Sequence, residues 1–282
     1  MSTQDRPVWF ITGCSTGFGR AIAHCVLNLG YRAIVTARDL THIEDIAAGH
    51  EGRVLLLSLD VTDPAQIATA VRTAEAQFGQ IDVLVNNAGI GYFGAIEESD
   101  HDEVRRMFET NFWGLANVTR AVLPAMRQRR RGYIVNMSSM GGVRGAAGVG
   151  YYNATKFAVE GFSEALSHEV TPLGIKVLLV EPSGFRTDWA GRSASEAASI
   201  IEDYAGTAGA RREQIRAGSG RQVGDPARAA AAIVHAVESP APPMRLLLGK
   251  TAVSAVRGKI DLLRADLETW AEVSESADYP GT

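Results

Sequence analysis

Two cysteines in 282 residues, Cys14 and Cys25, cannot build a disulfide framework. The six histidines are scattered, with no HxxxH or HxH pair and no Cys/His cluster at metal-ligand spacing. They read as surface or core residues, and no metal is expected. An excess of charge of one sign is lacking too: 28 Lys and Arg stand against 32 Asp and Glu, a formal net charge of −4. A chain without a basic surplus does not hold nucleic acid by charge alone. The apolar run that follows the polar N-terminus, 8–11, is far short of a membrane span or a signal-peptide core, and a glycine-rich turn ends it. The expectation is a soluble protein of the reducing cytoplasm, with neither nucleic acid nor membrane as partner. What is present is ordinary globular composition, 46% hydrophobic and 21% charged, which excludes a disordered or fibrous chain.

Short apolar runs at 8–12, 33–37, 54–57, 83–85, 133–137, 177–180 and 245–248 alternate with stretches of helical period at 17–29, 64–78, 102–111 and 114–129. The runs are continuously apolar rather than alternating, the pattern of strands buried on both faces. Right-handed crossovers then give an α/β fold, a doubly wound Rossmann-type parallel sheet of about seven strands in three α/β/α layers. No linker divides the chain, so residues 1–282 are read as a single dinucleotide-binding and catalytic domain. Within it 189–222, rich in Ala, Gly, Ser and Arg, breaks the alternation and is read as a substrate lid. Residues 252–282 form a C-terminal helix and a frayed polar tail. The arginines of 126–132 close a helix, where cations suit the dipole and Gly132 takes the left-handed cap; an anionic partner is the alternative.

Directly after the first strand stands Thr12-Gly13-Cys14-Ser15-Thr16-Gly17-Phe18-Gly19, followed by an amphipathic helix. A strand, a glycine turn and a helix N-terminus place bare backbone N–H groups where a pyrophosphate can sit. Gly13 permits the tight turn, Gly17 the close approach of phosphate, and Gly19 the packing of helix on strand. Taken alone, such a loop is also compatible with a turn that holds nothing. The second strand ends Ala37-Arg38-Asp39. An acid at a strand end of this kind bonds the 2′-hydroxyl of NAD, whereas an Arg accommodates the 2′-phosphate of NADP. Arg38 directly follows the strand and Asp39 comes late, so NADP(H) is favoured and NAD(H) is the alternative.

Tyr152 and Lys156 lie four residues apart at the start of a strongly helical stretch, so phenol and ammonium share one face. An unperturbed Tyr titrates near ~10. A cation within about 4–6 Å lowers it by roughly 1–3 units, toward a useful general acid/base. Ser139 closes the fifth of these strands, where active groups of open α/β sheets collect, and its hydroxyl can bond the oxygen on which Tyr152 acts.

With these residues assembled the chain resembles the short-chain dehydrogenase/reductase family, in its single-domain branch. The resemblance runs over about 6–250 and rests on 12–19, Asp60-Val61, Asn86-Asn87-Ala88-Gly89, Asn111, Ser139, Tyr152 with Lys156, and Pro182 through Thr187. It implies an NAD(P)-dependent oxidoreductase that interconverts a secondary alcohol and a ketone by hydride transfer. Ser15, Thr16 and Phe18 would join the three loop glycines around the cofactor. Asp60 and Val61 would contact its adenine, and Asn87, Ala88 and Gly89 would support it beside the fourth strand. Asn111 would hold a water in a proton relay through Lys156, whose ammonium also binds the nicotinamide ribose. Thr187, with Pro182 and Gly184, would orient the nicotinamide. Tyr152 would donate the proton in reduction while Ser139 steadies the oxygen. One departure is visible: the family's Pro-Gly is Pro182-Ser183 here, with Gly184 next.

The substrate side is expected from Phe93, Val143, Val149 and Trp189, mostly apolar, which suggests a hydrophobic alcohol or ketone. The resemblance also implies a homodimer or homotetramer through helices near 102–129 and 152–170. Two rivals are a nucleotide-sugar epimerase or dehydratase, whose G-x-x-G-x-x-G and larger C-terminal domain are missing, and a non-catalytic nucleotide sensor, against which the Ser139, Tyr152 and Lys156 set argues.

Overall fold

The computed structural model describes residues 6–279. In chain order its strands are β1 (Val8–Ile11), β2 (Arg32–Ala37), β3 (Val54–Ser58), β4 (Val83–Asn86), β5 (Gly91–Phe93), β6 (Gly132–Met137), β7 (Ile175–Pro182), β8 (Ala194–Glu196) and β9 (Arg245–Leu248). The helices are α1 (Gly17–Asn28), α2 (Pro64–Phe78), α3 (His101–Phe108), α4 (Leu115–Arg129), α5 (Gly150–Val170), α6 (Ala210–Ala217), α7 (Pro226–Glu238) and α8 (Lys250–Glu275). Seven strands form one parallel sheet in the order β3-β2-β1-β4-β6-β7-β9. All seven overlap the apolar runs read from the sequence, because a parallel strand covered on both faces carries apolar residues at most positions.

Successive residues of a strand point to opposite faces, and the core divides accordingly. Trp9, Ile11, Val35 and Val135 pack with Ile22 and Val26 of α1 and Ile233 of α7. Val8, Phe10, Ile34, Leu84 and Ile134 pack on the other face with Val71 of α2, Val118 of α4 and Leu166 of α5. The chain leaves β1 for β2 and β3 on one side and returns to β4 on the other. The carboxyl ends of β1 and β4 therefore flank the switch point where open α/β sheets hold ligands.

Three features depart from expectation. The strands β5 and β8 pair in parallel as a separate two-stranded sheet, so 189–222 is not irregular throughout: it contains β8, a π-helical turn at Ala205–Gly209 and α6. The left-handed residue after α4 is Arg130 (φ 52°), not Gly132, which opens β6. A Cβ on Gly132 would lie 2.4 Å from Met126 Sδ, so this glycine serves close packing rather than the turn. Finally, helix continues through Ser274 and Glu275, where a frayed tail was expected, while 1–5 and 280–282 lie outside the described residues.

Candidate active site

The glycine loop is tied down by the end of β4. Asn87 Nδ2 donates to the carbonyls of Thr12 and Gly13 at 2.9 Å each. The Thr12 hydroxyl accepts from the amides of Asn87 (2.9 Å) and Ala88 (3.0 Å). Gly13 and Gly17 both have positive φ, 70° and 60°, a region that costs a side chain about 1–2 kcal/mol. A Cβ on Gly17 would lie 3.2 Å from Thr187 Cβ, and the Phe18 ring stands 5.1 Å from that of Phe185. Ser15, Thr16, Gly19 and Thr187 are thereby gathered at one end of the sheet.

The first turn of α1 is bare. Thr16 at its N-cap makes no side-chain bond and no acid lies in the first turn. By contrast α2, α3 and α7 are each capped by an aspartate, Asp63, Asp100 and Asp225. Uncapped N–H groups at a helix start are suited to an anionic oxygen. At the end of β2, Arg38 is exposed and its guanidinium has no partner among the described residues, whereas the Asp39 carboxylate accepts from the Thr41 amide (2.9 Å) and hydroxyl (2.7 Å). Asp60 is engaged in the same way by Thr62. Val61 is buried and packs against Gly114.

Beyond β6 the three polar groups expected together are brought together. Ser139 follows β6 in extended backbone, and its Oγ accepts from the Gly141 amide at 3.0 Å. Tyr152 and Lys156 lie in the first two turns of α5, both buried. Lys156 Nζ donates to the Met137 carbonyl at 2.7 Å and stands 5.8 Å from the centre of the Tyr152 ring. Burial pushes the Tyr152 hydroxyl up to about 12, opposed by a hydrogen bond to Ser139. Burial also pulls the Lys156 ammonium down to about 8, opposed by the charge of Glu160 one turn further on. The lowered Tyr pKa expected from the i, i+4 spacing is therefore absent from the chain by itself: burial raises it, and the opposing effect comes from Ser139.

Asn111 lies in a π-helical turn, Glu109–Gly114, between α3 and α4. Its Oδ1 accepts from the Ile90 amide (2.8 Å), and its Nδ2 donates to the Ile90 carbonyl (2.9 Å) and Thr155 Oγ1 (3.2 Å). The carboxamide thus staples the chain after β4 onto α5, beside Gly89, and makes no hydrogen bond to Lys156. Ser183 Oγ donates to the Leu248 carbonyl at 3.3 Å, beside Gly249, where a Cβ would lie 2.5 Å from Ser183 Oγ. Gly184 follows Pro182 and Ser183 beside Gln222.

Phe93, Val149, Trp189 and Tyr152 share one apolar cluster, whereas Val143 lies outside it at the end of a short turn. The Trp189 ring is 4.8 Å from that of Tyr152 and 5.3 Å from that of Phe93, which is itself fully buried. Two supporting residues escaped the sequence reading. Arg216 of α6 lies over the Phe93 ring at 4.9 Å and donates to the carbonyls of Ala190 (3.0 Å), Gly191 (2.8 Å) and Ala194 (3.0 Å). Arg245 bridges the buried Glu160 and Glu181, and burial followed by the charge of Glu160 pushes Glu181 up to about 7. One arginine among several in α6, and an arginine whose acidic partners are distant in sequence, carry no local signal.

Among the described residues no three His, Cys, Asp or Glu side chains are grouped to hold a metal ion, and no helix is long and apolar enough to cross a membrane. Residues 7–198 match the short chain dehydrogenase family. Oxidoreductase BOA17 of Botryotinia fuckeliana is 41% identical over 269 residues, covering 95% of this chain and 97% of that one. A 3-ketodihydrosphingosine reductase of Bacteroides thetaiotaomicron is 42% identical over 240 residues, covering 85% and 86%. A short-chain dehydrogenase structure from Streptomyces avermitilis superimposes with a TM-score of 0.91 at 44% identity, over 98% of this chain and 100% of the other. More distant structures at 26% identity hold NAD (Burkholderia phymatum, TM-score 0.80, 93% and 97% covered) or NADP (a metagenomic oxidoreductase, TM-score 0.68, 88% and 98% covered). The chain belongs to the short-chain dehydrogenase family of oxidoreductases.

Proposed function

We propose that the chain is an NADP(H)-dependent reductase that interconverts an apolar ketone and its secondary alcohol, with Ser139, Tyr152 and Lys156 as catalytic residues and Asn111 as the staple behind them. The observation that carries this reading is the meeting of a buried Tyr152 hydroxyl, Ser139 and Lys156 next to a glycine loop whose helix start is uncapped.

The residues present fit the cofactor. The N–H groups of 13–19 would hold the pyrophosphate, Arg38 the 2′-phosphate, Asp60 and Val61 the adenine side, and 87–89 with Pro182, Gly184 and Thr187 the nicotinamide half. The free guanidinium of Arg38 and the engaged carboxylate of Asp39 support NADP over NAD. When bound, the nicotinamide supplies or accepts the hydride. The protein's own share is the proton and its placement. Tyr152 gives its phenolic proton to the substrate oxygen as the carbon is reduced, and Ser139 holds that oxygen by a hydrogen bond. Lys156, anchored on the Met137 carbonyl, would favour the phenolate left behind and would bind the ribose hydroxyls of the cofactor.

Residues 189–222 act as the lid on this same domain, with Trp189 facing Tyr152 across 4.8 Å. The aromatic lining supports an apolar substrate, and the Bacteroides relative is by name a ketone reductase. The exposed Trp113 and Phe157 support self-association through α3 to α5. Fluorescence titration with NADPH and NADH, followed by a panel of apolar ketones, tests the reading. Tighter NADPH binding with turnover supports it, and NADPH binding without turnover of any ketone overturns it.

A further inference from the structure

One turn beyond Lys156, α5 enters a charged cluster that the reaction as described leaves unused. Arg245, which opens β9, reaches three carboxylates: Glu160 of α5, Glu164 of α5 at 3.0 Å and Glu181 of β7 at 3.1 Å. Glu160 and Glu181 are buried, 6% and 1% exposed, whereas Glu164 faces solvent. Only Oε2 of Glu160 bonds the guanidinium; its Oε1 is buried with no hydrogen-bond partner among the described residues. Burying a carboxylate is costly unless a cation compensates it. One guanidinium shared by three acids leaves negative charge over.

A further cation lies on the same helix. Lys156 precedes Glu160 by four residues, so the two side chains are neighbours on one face of α5. Among the described residues it is the one cationic side chain that is fully buried, and its hydrogen bond to the Met137 carbonyl brings no charge. The turn Met140–Gly142 closes over this stretch of helix. A Cβ on Gly142 would lie 2.6 Å from Ser138 Oγ, 3.0 Å from Glu160 Cγ and 3.1 Å from the Lys156 carbonyl. Charges enclosed in this way act on each other more strongly than charges on a surface. Arg144, which follows the turn, and Lys250, which opens α8, are both exposed. Of the charged groups on these elements, Glu160 is the one whose charge opposes the loss of the Lys156 proton on burial.

We propose that Glu160 is a positioning residue for the reaction: its carboxylate, held by Arg245, is the counter-charge that keeps Lys156 a cation beside Tyr152. The inference rests on the reading of Lys156 as the group that favours the phenolate and binds the ribose, and it names what lets a buried lysine do so. Glu181 plays a different part. Burial and the charge of Glu160 push it up to about 7, so around neutral pH it is partly protonated and competes less for Arg245.

The test sets Glu160→Gln beside two controls: Glu160→Asp, which keeps the charge, and Glu181→Gln, which also takes an acid from Arg245. Gln keeps the size of the side chain, and Arg245 retains its other two acids. The charge on Lys156 is read without cofactor or substrate, from urea unfolding of each protein with and without Lys156→Met. Met does not titrate, so the difference begins to change with pH where the folded Lys156 loses its proton. In the parent that onset lies near pH 8. Glu160→Gln is expected to lower it by about one pH unit, a change of about tenfold in proton affinity, while both controls leave it in place. The alkaline limb of ketone turnover with NADPH should move by the same amount in Glu160→Gln alone. An onset that Glu160→Gln does not move overturns the proposal. So does an equal shift in either control, because packing around Arg245 would then be the cause. A shifted onset with an unshifted limb overturns it too, since the charge would not serve the reaction. Absence of any ketone turnover in the parent would instead overturn the functional reading, and the onset alone would then decide whether Glu160 sets the charge on Lys156.

Discussion

Replacing Lys156 by Met tests the electrostatics of the site separately from catalysis. In the folded chain burial pulls the ammonium from 10.5 down to about 8. Folding at neutral pH therefore buries a charge that water solvates better. The difference in pKa corresponds to about 3 kcal/mol, each unit being about 1.4 kcal/mol. The sign follows from proton binding: between about 8 and 10.5 the unfolded chain holds the proton and the folded chain does not, so stability rises with pH across that window. Below about 8 the full cost is present, and above 10.5 it has gone. Met has no such titration. It leaves the Met137 carbonyl without its donor, but that loss does not vary with pH. The stability of Lys156→Met relative to the parent should thus fall by about 3 kcal/mol between pH 7 and pH 10.5. Urea unfolding of both proteins at intervals of pH measures this difference, in which the other titrating groups cancel. A difference that stays flat would show that Lys156 is not a desolvated ammonium and would refute the reasoning.

Gly19→Ala places a Cβ 2.4 Å from both Asn87 Nδ2 and the Gly13 carbonyl, so NADPH affinity by fluorescence titration should fall about tenfold or more. Arg38→Glu adds an acid beside the 2′ position, and the ratio of NADPH to NADH affinity should drop at least about tenfold; an unchanged ratio would remove Arg38 from the cofactor site. Arg216→Ala removes three carbonyl bonds and the contact with Phe93. Proteolysis within 189–222 should then quicken while NADPH binding holds, and equal cleavage rates would show that Arg216 does not order the lid.

The sheet was legible because each strand is a continuous apolar run, and helices α2 and α4 because their apolar period is long. The pair β5 and β8 was not: each has three residues, and the partners lie about a hundred residues apart, so neither periodicity nor turn chemistry marks them. The glycine loop and the Ser139, Tyr152 and Lys156 set could be read because their spacing is local or their strand ends are recognisable. Spacing could not show which force dominates there. A spacing of four residues from phenol to ammonium predicts a lowered Tyr pKa, but burial raises it instead. Asn87 and Asn111 illustrate the same limit. Their positions were legible, yet their carboxamides are occupied in fastening the glycine loop and α5.

The central claim is that Tyr152 gives the proton, and its most direct test is Tyr152→Phe measured two ways. Phe keeps the ring between Trp189 and Lys156 and removes only the hydroxyl. Ketone turnover with NADPH should fall by about 100- to 10,000-fold, while the NADPH dissociation constant stays close to that of the parent. Turnover within a few-fold of the parent would contradict the account.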